Sequence, residues 1–332
     1  MFRRRPPSFA PDRRATREDV ENAYRLFLSR APNPADWEVW ALELEAGTLT
    51  LEELTDSFLL AEETEARRAE AAGRRPRLVT LPDFSIYVHV SDKAIGETIA
   101  AHGVYEGHVT AELRRRLKPG DTFVDVGANV GFFTLLAASL VGGRGRVVAF
   151  EPSRSNAELL RKSLEANPFD NVTLHRTALG CESGAAILVH EPGSSNAILP
   201  RSPENDMPAH ALREEVSIVR LDDFLPVLPS VEIVKMDVEG FEPQVWDGMT
   251  ELVARYRPVV LLELSPLALR ISSGETAQAL LDRVLGAGYE LRVLRRVDTG
   301  EPERWSGEKI LSALPGLGEQ GVTHIDIVAV PT

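Results

Sequence analysis

The spacing of apolar residues divides the chain into two parts. Between residue 16 and about residue 68, apolar side chains recur every three or four positions, which is the period of an amphipathic helix. From residue 78 onward, short apolar runs alternate with helical stretches, a pattern typical of an α/β domain with a largely parallel sheet. The pattern therefore predicts a small helical domain over 16–72 and a larger α/β domain over 78–332.

Capping signals and a turn predict three short helices in the first part. Thr16, followed by Asp19, is suited to begin a helix, and Thr50 is suited to begin another. Gly47 is placed to end the middle helix. The proline-containing stretch 30–34 predicts a turn between the first helix and the second.

The helical part, AYRLFLSRAPNPADWEVWALELEAGTLTLEELTDSFL, resembles a small domain of unknown function that is often attached to bacterial surface and polysaccharide-related proteins. The resemblance implies no chemistry, and we interpret the tryptophans in this stretch as core residues. The basic segment 1–15 is predicted to be a disordered tail, because it has few large apolar residues with which to form a core. The charged, alanine-rich segment 62–77 is interpreted as a linker or an exposed helix.

Seven apolar runs in the second part are interpreted as strands of one sheet. They lie at 122–126, 147–150, 172–176, 233–236, 259–263, 291–294 and 325–330. Helices are predicted near 132–141, 154–167, 221–228, 241–256 and 275–286, short extra strands near 84–90, 186–190 and 216–220, and a mobile loop over 191–208. This order predicts a Rossmann-like fold, with a mostly parallel seven-stranded sheet and helices on both faces.

Composition and charge exclude several classes of function. The chain carries 37 Lys and Arg against 50 Asp and Glu, a net charge of −13, which argues against nucleic acid as its main partner. The single cysteine, Cys181, rules out an intrachain disulfide and a zinc cluster built on several thiolates, and it suits a cytoplasmic location. No apolar run reaches the roughly 20 residues that a membrane span needs. We expect a small-molecule or glycan partner and leave the oligomeric state open.

The strongest chemical signal lies at the end of the first predicted strand. That strand reaches Asp125, and the bend Gly127-Ala-Asn129-Val-Gly131 then leads into an apolar helix. Ligands bind beyond the carboxyl ends of strands in such sheets, and glycines let the backbone approach a ligand closely. The bend lacks the third glycine of a dinucleotide-binding G-x-G-x-x-G motif, and Asp125 would repel a phosphate. A cofactor with an ammonium and a sulfonium group fits better, which favours S-adenosylmethionine.

Three further predicted strands also end in carboxylates. Glu151 follows the second strand, where a ribose-binding acid belongs, since a carboxylate can accept hydrogen bonds from a vicinal diol. Asp237 and Glu239 follow the fourth strand, and Glu263 ends the fifth. Convergence of these acids at one sheet edge indicates a binding site. Capping of the following helix is the alternative interpretation of Glu151, Asp237 and Glu239.

The segments VDVGANVGFFTL, VVAFEPSRSNAELLRKSLEAN, LDDFL and KMDVEGFE, in this order, resemble the FkbM family of methyltransferases. The match runs from about residue 120 to the C-terminus, with further similarity around Tyr105 and Glu106. The family implies S-adenosylmethionine as methyl donor and O-methylation of sugars, polysaccharides or other natural products. By position, the resemblance implies cofactor contacts from Asp125, Gly127, Asn129, Gly131 and Glu151, and it places Asp237 and Glu239, the predicted catalytic residues, beside the acceptor. We also predict substrate contacts from Glu106, His108 and Glu263, with a structural role as the alternative interpretation of His108.

A hydroxyl acceptor needs a group that takes its proton, and Asp237 is the first candidate, with Glu239 the second. Burial beside another acid would raise the pKa of such a carboxylate and make it a better base. Alternatively, Asp237, Glu239 or Glu263 holds a divalent ion such as Mg²⁺ that acidifies the hydroxyl. Two other functions stay open: a non-catalytic scaffold that docks through its helical domain, and an NAD(P)-dependent oxidoreductase.

Overall fold

The computed structural model describes residues 13–28, 30–59, 75–190, 196–199, 212–295, 300–319 and 323–332. The chain forms two compact units, Met1–Arg75 and Pro76–Thr332. Most of the predicted tail over 1–15, and most of the predicted linker over 62–77, lie outside the described residues.

The first unit contains the three predicted helices, Arg17–Leu28, Pro34–Ala46 and Leu51–Leu59. The hydroxyl of Thr16 accepts the Asp19 N–H at 3.2 Å, while Asp19 accepts the Thr16 N–H at 2.8 Å. Thr50 and Glu53 form the same reciprocal pair at the third helix. Gly47 ends the second helix with a φ of +60°, so the predicted caps are confirmed.

Phe58 is the centre of the core in this unit. Its ring contacts Tyr24 edge-on at 4.8 Å between centroids and stacks on Trp40 at 5.9 Å. Val20 and Leu54 are buried beside these rings. Trp40 therefore packs in the core as predicted, and aromatic contacts of this kind stabilise a small domain that has little other apolar surface to bury.

The second unit is built on fourteen described strands with helices between them. In chain order the strands are β1 (Arg77–Thr80), β2 (Ser85–Val88), β3 (Thr122–Val126), β4 (Arg146–Phe150), β5 (Val172–His175), β6 (Ala178–Leu179), β7 (Gly184–His190), β8 (Asn196–Leu199), β9 (Leu212–Val219), β10 (Ile233–Met236), β11 (Val259–Leu264), β12 (Tyr289–Leu294), β13 (Glu303–Trp305) and β14 (Ile325–Pro331). The α-helices are Gly96–His102, Gly107–Arg116, Phe132–Val141, Arg154–Glu165, Glu242–Asp247, Thr250–Tyr256, Pro266–Ser272, Ala277–Gly286 and Gly307–Glu319.

The main sheet has the strand order β13-β12-β14-β11-β10-β3-β4-β5 among the described residues. Strands β11, β10, β3, β4 and β5 are parallel, whereas β14 lies antiparallel between β11 and β12. This arrangement confirms the Rossmann-like α/β fold. The sheet contains the seven predicted strands and an eighth, β13, which pairs antiparallel with β12 at the edge and was not predicted.

Alternate residues of β3 enter two separate apolar layers. Val124 and Val126 belong to one buried cluster, while Phe123 belongs to the other, together with Leu135 and Leu136 of the helix Phe132–Val141. Side chains of a strand alternate between the two faces of the sheet, so both faces are covered. Within the described residues, no helix is both long and apolar enough to cross a membrane.

Three predicted elements differ in the structure. The helix predicted near 241–256 is two helices that separate at Gly248, where a Cβ atom would lie 2.0 Å from the carbonyl oxygen of Gly180. The helix predicted near 221–228 is a 3₁₀-helix, Leu221–Val227, and it contains Pro226, which lacks an N–H to donate. The predicted loop over 191–208 contains β8, which pairs with β7; the rest of that segment lies outside the described residues.

Candidate active site

Two loops meet at the carboxyl edge of the main sheet, one after β3 and one after β10. Gly127 has a φ of +79°, and a Cβ atom on it would lie 1.9 Å from the carbonyl oxygen of Asp237. The Asp237 N–H donates to the carbonyl of Val126 at 3.1 Å. No residue with a side chain fits at position 127, because both the space and the backbone conformation require glycine.

The loop after β3 also holds the end of β4. The Gly127 and Ala128 N–H groups both donate to the carbonyl of Phe150 at 3.0 Å. The Asn129 N–H donates to Oε2 of Glu151 at 2.7 Å, and the Ser153 N–H donates to its Oε1 at 2.9 Å. Burial raises the pKa of Glu151 to about 7 despite these donors. The bond to Ser153, which caps the following helix, shows that Glu151 also supports a helix start.

A cleft of about 920 Å³, counting its open mouth, lies over these loops. Seven of the ten predicted site residues line it: Glu106, Gly127, Asn129, Glu151, Asp237, Glu239 and Glu263. Tyr105 and His324 line it as well, with an apolar wall that includes Phe150, Leu179 and Ile198. A single cleft therefore joins the predicted cofactor residues to the predicted acceptor residues.

The other three predicted residues do not line the cleft. Asp125 is fully buried within β3, where its Oδ2 accepts the Thr134 hydroxyl at 2.6 Å. A Cβ atom on Gly131 would lie 2.2 Å from Leu160, so this glycine serves helix packing. His108 is buried as well. None of these three residues lines the cleft, and their predicted contacts with a ligand stay predictions.

Lys235, which the sequence analysis did not single out, is the buried cation of the site. It is 5% exposed, lies directly opposite Asp125 in the β10–β3 register, and its Nζ is 2.9 Å from Oδ2 of Asp237. Burial alone would lower the pKa of Lys235, but the charges of Asp237, Asp125 and Glu106 raise it. Its ammonium is also 4.9 Å from the centre of the Phe133 ring, within the range of a cation–π contact.

Two acids at the far end of the cleft have strongly raised pKa values. Burial and the charge of Asp237 raise the pKa of Glu106 to about 7. Burial and the charges of Asp237 and Glu239 raise the pKa of Glu263 to about 10. Both residues are among the predicted substrate contacts, and acids with perturbed pKa values cluster at functional sites.

The backbone is strained around this cleft. Four non-glycine residues in the described part of the chain have a positive φ, and three of them line the cleft: Glu106 (+41°), Asn129 (+51°) and Glu239 (+52°). The Ser272 hydroxyl holds the loop by donating to the carbonyl of Glu239 at 2.7 Å. Such conformations cost about 1–3 kcal/mol each and are concentrated at functional sites.

Comparison with known proteins identifies the family of the domain that contains this cleft. Residues 125–291 match the family model described as the methyltransferase FkbM domain. The chain belongs to the FkbM methyltransferase family. The predicted resemblance is thereby confirmed, and the FkbM domain places the chain among S-adenosylmethionine-dependent methyltransferases.

Curated relatives of the FkbM domain include other methyltransferases. The chain is 34% identical over 111 residues to a protein-L-isoaspartate O-methyltransferase from Ignicoccus hospitalis, covering 32% of this chain and 51% of the relative. It is 34% identical over 132 residues to the enzyme of the same name from Aeropyrum pernix, covering 39% and 48%. The chain thus spans about half the length of these relatives. The crystal structure of methyltransferase FkbM from Methylobacillus flagellatus is similar at 13% identity and a TM-score of 0.37, covering 81% of this chain and 70% of that one.

Sequence reasoning missed two further residues beside the cleft of the FkbM domain, His324 and Asp326. Asp326 is the second residue of β14 and His324 lies just before this strand, which runs antiparallel to its neighbours. The amino end of an antiparallel strand meets the carboxyl ends of the parallel strands at the same sheet edge. The antiparallel orientation of the last strand brings these two residues to the site, and the pattern of apolar residues along the chain does not show that orientation.

Substitution of Gly127 by alanine should strongly destabilise the FkbM domain. The new Cβ would collide with the Asp237 carbonyl, and the left-handed backbone would be strained as well. We expect a loss of about 3 kcal/mol or more in urea denaturation. Gly274→Ala is the matched control, because Gly274 also has a positive φ, +71°, but no atom within 4 Å of the added Cβ. That control should lose about 1 kcal/mol; equal losses in the two variants would contradict the packing argument.

The raised pKa of Glu106 makes the stability of the FkbM domain depend on pH. Its pKa rises from 4.5 to about 7 on folding, so its contribution is complete below pH 4.5 and is lost as pH rises through 7. Glu106→Gln removes this titration. Between pH 5 and pH 8, wild-type protein should lose about 3 kcal/mol more unfolding free energy than the variant loses.

The exposed Glu97, on the helix Gly96–His102, provides the matched control for this measurement. Glu97→Gln should leave the pH profile of wild-type unfolding unchanged. Parallel profiles for wild type and Glu106→Gln would show that Glu106 is not the group that titrates in the folded state.

Proposed function

We propose that the FkbM domain is an S-adenosylmethionine-dependent O-methyltransferase that acts on a hydroxyl of a sugar, a polysaccharide or another natural product. The observation that carries the proposal is the single cleft lined both by the glycine-containing loop after β3 and by the acids after β10 and β11. Transfer between two molecules needs both reacting groups to be held side by side, and one cleft with two chemically different ends provides this.

The end of the cleft formed by Gly127, Asn129 and Glu151 is proposed to bind the cofactor. The absence of a Cβ at Gly127 allows close approach to the backbone, and Glu151 can accept hydrogen bonds from a ribose diol with its remaining lone pairs. Asp125 would act from behind this wall, through its charge and its bond to Thr134. When bound, S-adenosylmethionine supplies a methyl carbon on a positively charged sulfur.

The other end, with Glu106, Asp237 and Glu239, is proposed to bind the acceptor. The Oδ2 atom of Asp237 is bonded to Lys235, which fixes the carboxylate and leaves Oδ1 to accept a hydrogen bond from the acceptor hydroxyl. We propose that Asp237 takes the hydroxyl proton as that oxygen attacks, because a neutral hydroxyl is a weak nucleophile. Glu239, held in place through its backbone, is the second candidate for this step.

The charge of this end supports a neutral, hydroxyl-rich acceptor. Several carboxyl groups line it, and Lys235 is already paired with Asp237. A phosphate or carboxylate on the acceptor would be repelled by these groups at short range. Carboxyl groups bind hydroxyls well, because each oxygen can accept more than one hydrogen bond. This supports sugars and polyketide-like polyols over acidic acceptors.

Calorimetric titration with S-adenosylhomocysteine tests the cofactor end. Glu151→Gln should weaken binding at least tenfold, because a hydrogen bond to a charged group contributes about 1.5–3 kcal/mol. Glu158→Gln, on the exposed face of the following helix, is the control and should bind like wild type. Absence of binding by folded wild-type protein would reject the proposal and favour a scaffold, whereas binding of NADH instead would favour an oxidoreductase.

Asp237→Asn tests the acceptor end, because it keeps the size of the side chain and removes its basic oxygen. With an acceptor found by screening neutral sugars and polyols, methyl transfer should fall by about 10²–10⁴-fold in kcat. Binding of S-adenosylhomocysteine should change little, since Asp237 is assigned to the acceptor. The exposed Asp247 offers a control, and Asp247→Asn should keep full activity. An unchanged kcat for Asp237→Asn would remove Asp237 from the proposed role.

A further inference from the structure

Two carboxyl groups face each other across the antiparallel β11–β14 pair. Glu263 and Asp326 are direct partners in the register, so their side chains project from the same face of the sheet. His324, just before β14, reaches the same face, because its ring nitrogen contacts the carboxyl group of Glu263. Two carboxyl groups directly opposite each other destabilise a sheet when both are ionised, and both side chains are largely buried, at 12% and 11% exposure. A cation between them would reverse this repulsion.

The distances among these three residues suit a shared ion. Nε2 of His324 is 3.2 Å from Oε2 of Glu263, and one ligand atom from each of the three residues lies within 4.8 Å of the other two. Ligand atoms about 2.1 Å from a metal ion are about 3 Å apart when adjacent and about 4.2 Å apart when opposite. The three side chains are therefore close to the spacing of metal ligands, and small rotations would complete it.

Neighbouring groups hold two of the three side chains in place. His108, which the sequence analysis expected at the substrate, instead has its Nε2 2.6 Å from Oδ2 of Asp326, and it is buried. The hydroxyl of Thr323 lies 3.3 Å from Nδ1 of His324, on the other side of the ring from Glu263. Hydrogen bonds of this kind behind the ligands orient metal-binding side chains and strengthen ion binding.

We propose that Glu263, His324 and Asp326 bind one divalent transition-metal ion in the wall of the cleft. This ligand set differs from the one expected from sequence, because Asp237 is paired with Lys235. An imidazole with two carboxylates favours first-row transition ions over Mg²⁺, which prefers oxygen ligands alone. Glu263 and His324 both line the cleft, so an ion here could coordinate the acceptor oxygen, a role that rests on the proposed function.

Titration of the full-length protein with Mn²⁺, followed by loss of the free-ion electron paramagnetic resonance signal, tests the site. We expect one ion per chain, displaced by Mg²⁺ only at concentrations at least tenfold higher. Glu263→Gln and His324→Asn should each weaken Mn²⁺ binding by tenfold or more. His108→Gln should weaken it by about 10–100-fold through Asp326. The exposed His102 supplies the matched control, and His102→Ala should bind Mn²⁺ like wild type.

Urea denaturation of the same samples shows whether each variant is folded, and their binding of S-adenosylhomocysteine separates the two proposals. Cofactor binding by wild type without Mn²⁺ binding would overturn the metal site and leave the proposed methyltransferase function intact. Mn²⁺ binding that is unchanged in both ligand variants would also overturn the site. Mn²⁺ binding that these variants abolish, in a protein that does not bind S-adenosylhomocysteine, would support the metal site and reject the proposed function.

Discussion

The buried Lys235 and the partly exposed Asp237 form an ion pair at the carboxyl edge of the sheet, with 2.9 Å between Nζ and Oδ2. Asp125 lies opposite Lys235 on the neighbouring strand β3. A buried ammonium without compensating charge is strongly destabilising. The single charge of Lys235 thus offsets an acid within β3 and another just after β10, and it is itself stabilised by both.

This one cation does not offset all the acids around it. Glu106 and Glu263 lie farther along the cleft, where burial, and after it the charges of neighbouring acids, raises their pKa values. A positively charged cofactor at one end, and a metal ion at the other, would each offset negative charge in the cleft. The proposed cofactor and the proposed metal ion would therefore both offset negative charge, each at a different end of the cleft.

Much of the fold could be predicted from the sequence, because local signals agreed with the tertiary structure. The helix Phe132–Val141 has the predicted bounds, and the caps at Thr16 and Thr50 form as expected. The errors arose where tertiary contacts decide the outcome. The break at Gly248 depends on the backbone at Gly180, and the edge strand β13 has only three residues, too few for a clear alternation.

The site was predictable in part for the same reason. Acids that end parallel strands must meet at one sheet edge, so Glu151, Asp237 and Glu263 could be placed together from strand order alone. Burial could not be assigned in that way, and Asp125 and His108 lie behind the cleft wall. Lys235 was overlooked because it lies within an otherwise apolar strand, and only the structure shows its pairing with Asp237 and its position opposite Asp125.

The backbone, more than the side chains, sets the geometry of the cleft. Glu106, Asn129 and Glu239 are each held at a positive φ, and each belongs to a different loop. Glu239 is fixed further, because a Cβ on the next residue, Gly240, would lie 2.2 Å from the backbone of Ala268. Polar groups held in this way do not have to reorganise when a ligand binds, which is the condition for strong electrostatic stabilisation of a reacting group. The folded protein therefore holds these strained conformations before any ligand binds, at positions where the proposed chemistry needs fixed polar groups.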